Sequence, residues 1–179
     1  MSTYVALLYS ISLPDKRRLI MSDLRDLATR LEFHNPRTVL ATGNLIFETL
    51  KPIATSTLTA KLETAFQETF GRQVDIIVIT ADQLRAINAA NPFPAESQEN
   101  PSHVIVRVMR NPITPDVLAK LKLLIANGEK IESATGHLWL YFANNIAGSR
   151  LGAALTPAKA GGPGTCRNWN TLRKIEAAL

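Results

Sequence analysis

Cysteine is almost missing from this chain: Cys166 stands alone among 179 residues. One thiol excludes an internal disulfide and cannot by itself build a cysteine zinc site. A reducing cytoplasm is therefore the expected setting. Long apolar runs are missing too, because Arg, Asp or Asn interrupts every stretch before the roughly 20 residues that a membrane helix needs. Tyr4-Val5-Ala6-Leu7-Leu8-Tyr9 is apolar but short, with no basic n-region before it and no small-residue cleavage site after it, so it reads as a strand and not a signal peptide. Catalytic constellations are equally scarce. His34, His103 and His137 have no paired spacing, so no metal and no cofactor is expected, and no base stands near Cys166 in sequence. Asp23 and Asp26 suit the first turns of a helix, where acidic side chains interact favourably with the dipole. Gly161-Gly162-Pro163-Gly164 lacks the Lys-Ser/Thr ending of a phosphate loop. No reaction is named by these residues, and a catalytic role is not expected.

What is present is an ordinary apolar and charged balance, 46% and 20%, which is enough to bury a core in one domain or two small halves. The net charge of +5 is concentrated at the end. Arg150, Lys159, Arg167, Arg173 and Lys174 face only Glu176 beyond Ile146, while Lys16-Arg17-Arg18 makes a second basic run beside Asp15. A solvated basic face is the plain reading and phosphate contact the functional one.

Element order carries the fold. Residues 3–9 read as a strand buried on both faces. A helix follows from about Ser22, a candidate N-cap, with Leu24, Leu27, Ala28 and Leu31 on one stripe, and Asn35-Pro36 ends it. Strands at 37–41 and 45–48 flank a Thr42-Gly43-Asn44 turn. A helix over 55–70 is closed by Gly71, a strand covers 74–79, with Asp75 on its solvent side, and a helix runs from Asp82 to about Ala90. Pro92, Pro94 and Pro101 make 91–102 a connector without helix or central strand. Beyond it come a strand at 103–109, a helix opened by Thr114-Pro115, strands near 129–133 and 137–142, and a helix near 147–155. The repeated order predicts an α+β fold, a tandem pair of ferredoxin-like βαββαβ units with antiparallel sheets, residues 1–90 and 103–179, and a C-terminal helix.

That terminal helix is expected to open within Gly164-Thr165-Cys166-Arg167-Asn168-Trp169-Asn170-Thr171. Trp169, Leu172, Ile175 and Leu179 recur at helical spacing, so Trp169 is the expected structural anchor, with Thr165 or Asn168 as cap. A helix start beside Arg167 would favour a Cys166 thiolate.

These residues also resemble a known family. Tyr4 to Leu8, Met21-Ser22-Asp23-Leu24, Arg37-Thr38, Thr42-Gly43-Asn44-Leu45-Ile46-Phe47, Asn91-Pro92-Phe93 and the motif from Gly164 to Thr171 with Lys174 are similar to those of the bacterial domain-of-unknown-function 1697 family. The resemblance implies the tandem ferredoxin-like fold, a cytoplasmic protein and no established activity. Where members usually carry Arg-Gly-Ile-Asn-Val-Gly-Gly after the first strand, this chain has Tyr9-Ser10-Ile11-Ser12-Leu13-Pro14-Asp15. Where they tend to show Gly-Arg-Ser-Lys-Leu, it has Ala147-Gly148-Ser149-Arg150-Leu151. A ligand held by the family's loop would meet an altered site here.

Two functional readings follow. The first is a non-catalytic binder of an anionic, phosphate- or carboxylate-bearing ligand, with single-stranded nucleic acid as one such partner. Arg150, Lys159, Arg167, Arg173 and Lys174 would contact phosphates, and Trp139 and Tyr141 would stack bases. The second is an enzyme or small-molecule binder with a pocket between the halves, drawing on Ser10, Ser12, Asn44, Arg167 and Asn168.

Overall fold

β1 (Ser2–Leu8) runs through the centre of the first sheet, and every residue from Tyr4 to Leu8 is buried, as its unbroken apolar run requires. The computed structural model describes all residues except Asp15, Lys16 and Asn145. The basic run at Lys16 and the end of the 9–15 loop therefore lie partly outside the described residues. By internal contacts the chain divides into two units, Met1–Leu84 with Lys174–Leu179, and Arg85–Arg173. The division falls earlier than the proline-rich connector. The last six residues belong with the first unit, where Arg37 Nε donates to Ala178 O at 3.0 Å and Nη2 to Leu179 O at 3.3 Å.

In the first unit the antiparallel order is β2-β3-β1-β4, from β2 (His34–Thr38), β3 (Asn44–Thr49) and β4 (Ile76–Thr80). Tyr4 stands opposite Phe47, and Ala6 opposite both Leu45 and Val78. Helices α1 (Met21–Arg30) and α2 (Thr55–Phe70) lay Leu24, Leu27, Leu58, Leu62 and Phe66 on a core with Tyr4, Leu8 and Phe47. α2 has the expected limits, and Gly71 closes it at φ 68° with its N–H on Gln67 O.

Several boundaries need correction. Ser22 is not the cap: the backbone turns at Ile20, and Ser22 lies in the first turn of α1 with its hydroxyl on Asp23. The helix stops at Arg30, before Glu32 at φ 60°, and not at Asn35-Pro36. Pro36 sits instead in β2, an edge strand where a missing N–H costs no central ladder bond. The following turn is longer than Thr42-Gly43-Asn44: Leu40 adopts φ 59°, and Val39 N–H donates to Asn44 O across it. Asp75 is half-buried ahead of β4, its carbonyl accepting from Tyr9 N–H.

α3 (Ala81–Ala89) crosses the division. The supposed helix-free connector then holds α4 (Pro94–Glu99), because Pro94 occupies the first turn, where no N–H is needed, and Pro101 falls beyond its end. The second sheet has the order β6-β7-β5-β8, also antiparallel, from β5 (Val104–Met109), β6 (Lys130–Ala134), β7 (His137–Tyr141) and β8 (Gly164–Asn168). α5 (Pro115–Lys122) opens as expected, with Thr114 Oγ1 accepting from Val117 N–H. The expected helix over 147–155 shortens to α6 (Arg150–Ala153), capped by Ser149. Leu121, Ile131, Leu138, Leu140 and Leu151 form the core on that side.

The largest correction concerns the closing motif. Gly164 to Asn168 is a strand, and α7 (Trp169–Ala177) begins only at the indole. The second unit thus gains a fourth strand that periodicity did not reveal. Gly164 is required there by close approach, since a Cβ would meet Met109 Sδ at 2.9 Å and Arg107 Nε at 3.2 Å. The described residues form an α+β fold of two four-stranded antiparallel sheets and seven helices.

Candidate functional site

Asn44 is wholly buried and spends its amide on the turn that precedes it. Nδ2 donates to Val39 O at 2.8 Å and to Thr42 Oγ1 at 2.9 Å. Gly43 presses on the loop after β1, because a Cβ there would meet Ile11 at 2.8 Å and Leu8 at 3.0 Å. The structure therefore brings Asn44 beside the loop carrying Ser10 and Ser12. Ser10 is half-exposed and Ser12 exposed; Ser10 Oγ accepts from Ser12 N–H, and Ser12 O accepts from Arg72 Nη1.

In the second unit, Arg167 is 8% exposed, and its Nη1 donates to Thr165 Oγ1 at 2.7 Å and to Cys166 O at 2.8 Å. Burial lowers its pKa to about 10, which leaves it a cation at neutral pH. Asn168 Oδ1 accepts from Thr171 N–H at 2.9 Å and caps α7, whereas Thr165 is engaged by Arg167. The half-buried Trp169 places its ring 5.6 Å from that of Trp139 at an interplanar angle of 52°. Arg150 is exposed on α6.

Two expectations fail here. Cys166 is inside a strand, not at a helix start, and burial pushes its thiol pKa up against the opposing influence of Arg107 and Arg167. The base-stacking platform is not available either: Trp139 is fully buried against Trp169, and Tyr141 is only half-exposed. Among the described residues, no three His, Cys, Asp or Glu side chains gather as metal ligands.

Two features were not singled out in the sequence. The first is an open groove of about 630 Å³ in the first unit, with Leu31, Phe33, Leu50 and Ile53 as apolar wall and Lys51 and Lys61 as cations. Tyr4, buried behind the groove, holds Ile53 in place, its hydroxyl donating to Ile53 O and accepting from Ile53 N–H. Lys61 Nζ donates to Leu31 O at 2.9 Å and lies 5.2 Å from the Phe33 ring centre. One carboxylate, Glu32, and the His34 imidazole complete the polar lining with Thr49. Exposed Leu50 and Ile53 in the 49–53 segment were the available sequence signal. The second is Arg107, a fully buried guanidinium in an otherwise apolar strand. A separate groove of about 510 Å³ in the second unit includes His103, Phe142 and Asn144 but no lysine or arginine.

Comparison places the chain among relatives without assigning it a task. The family model described as "Protein of unknown function (DUF1697)" matches residues 1–139. Among solved structures, the conserved bacterial protein SP0830 from Streptococcus pneumoniae is similar over 98% of this chain and 97% of its own, with TM-score 0.76 and 19% identity. That likeness speaks for the fold alone. No curated protein matches the chain.

Proposed function

We propose, for a chain that belongs to the DUF1697 family of proteins of unknown function, that it is a non-catalytic binder of a small anionic ligand bearing carboxylate or phosphate. The observation that carries this reading is the groove of the first unit, where two ammonium groups border an apolar wall. Its volume is in the range of small-ligand pockets, and a flat or aliphatic body on Phe33 and Ile53 would place an anionic head near Lys51 and Lys61. Lys61 is already held by Leu31 O and the Phe33 ring, so little side-chain freedom is lost on binding. The elevated thiol pKa of Cys166 and the occupied Nδ1 of His137 favour binding over nucleophilic or acid–base chemistry. The shared strand order and the βαββαβ succession of the first unit support reading each unit as ferredoxin-like, and a single cysteine supports the reducing cytoplasm as its setting.

Lys174, which belongs with the first unit, is exposed and adds to its positive charge. A thermal-shift series with octanoate, phenyl phosphate and their neutral alcohols tests the reading. Stabilisation by the anions and not the alcohols is expected, and Lys51→Ala with Lys61→Ala should abolish it. Equal shifts in wild type and the double variant would sink the assignment.

A further inference from the structure

Arg107 is fully buried, yet among the described residues no carboxylate pairs with it. Its Nη2 makes one long bond, 3.3 Å to Gly162 O, its Nε has no partner, and the guanidinium also reaches the Cys166 thiol. A guanidinium has five N–H donors, and a buried charge without a counterion is strongly unfavourable. The charge sits on the same sheet face as Cys166 and Leu138, its register partners on β8 and β7. Above it runs Gly161-Gly162-Pro163-Gly164, whose first two residues adopt φ 79° and 116° and whose last leaves just enough room for Nε. Gly161 itself is exposed, so only a short glycine loop separates the guanidinium from solvent.

We propose that Arg107, beneath the Gly161–Gly164 loop, is the cationic floor of a second anion site that takes a phosphate-like oxyanion when the loop lifts. Two side-chain-free residues at the loop's crest make that displacement inexpensive in steric terms, and the planar fork of Arg107 suits two oxygens of one tetrahedral ion. The site is independent of the lysine-bordered groove, since all its residues belong to the second unit.

Cys166 is the sole cysteine and reports on this site directly. Its rate of reaction with Ellman's reagent is measured in chloride and in inorganic phosphate at equal ionic strength, with phenyl phosphate as a further arm. Bound phosphate covers the thiol and neutralises the guanidinium that favours its thiolate, so saturating phosphate should slow labelling by about tenfold. Protection by phenyl phosphate as well marks an ester as the natural ligand, and protection by the free ion alone marks inorganic oxyanion; both support the proposal. Arg107→Met should lose the phosphate effect and, in phosphate-free buffer, melt no lower than wild type. If that variant does not fold, the wild-type comparison with Arg107→Lys still decides, because the retained charge should keep part of the protection. A labelling rate indifferent to phosphate in wild type overturns the proposal, as does equal protection in Arg107→Met.

Discussion

At the scale of the residue, His137 shows how burial sets chemistry. Its Nδ1 accepts from Met109 N–H at 3.0 Å, and burial lowers its pKa to about 4 from the usual 6.5. Between those values the unfolded chain binds a proton that the folded one refuses, so this residue's contribution is intact above pH 6.5 and lost as the pH falls toward 4. Urea midpoints at pH 7 and pH 5 should therefore differ more in wild type than in His137→Gln; an equal loss in both would refute the assignment. The Trp169 indole lies against that of the buried Trp139. Trp169→Ala should cost about 2 kcal/mol, and Trp169→Phe less than half of that, by equilibrium denaturation. The apolar stripe was legible because Trp169, Leu172 and Ile175 share helical spacing, and the last two are buried, whereas Leu179 lies beyond the end of α7 and is half-buried. Arg107 was not legible: one charged letter in Val104-Ile105-Val106-Arg107-Val108-Met109 has the look of a solvent-facing position, and the Gly161–Gly164 segment that lies against its guanidinium is more than fifty residues away in sequence.

Elements were readable to the extent that they carried their own punctuation. The limits of α2 were legible because Gly71 supplies the left-handed stop, and the start of α5 because Thr114 and Pro115 mark it. Gly71→Ala, forced to φ 68°, should lower stability by about 1 kcal/mol. β8 had no such marks. Its five residues include a glycine and an asparagine, and they pair with β5, far away in sequence; register with a distant strand leaves no local period. The same segment was misread as a helix start because Asn168 does begin one, but only at its own position. Asn168→Ala should remove the bond to Thr171 N–H and cost about 1 kcal/mol, whereas Asn168→Asp should retain most of the cap; stability curves for the two variants separate these outcomes.

At the scale of the whole molecule, the repeated order of strands predicted two sheets, and two sheets of matching strand order are present. The location of the chain's last residues was not readable, because Arg37 takes hold of Ala178 and Leu179 from more than a hundred residues away. Arg37→Ala should speed carboxypeptidase trimming of the terminus while leaving the rest of the chain intact by mass spectrometry. The excess of positive charge pointed toward anions, yet Arg167, central to the expected site, is mostly internal, and the exposed lysines of the first-unit groove take its place as candidates. The central claim is that this groove selects an anion with an apolar body. Isothermal titration of octanoate into wild type and into the Lys51→Ala, Lys61→Ala double variant is its most direct test. Saturable binding that weakens as salt rises and disappears in the variant is the predicted result; no heat of binding at low salt, or the same affinity in both proteins, would contradict it.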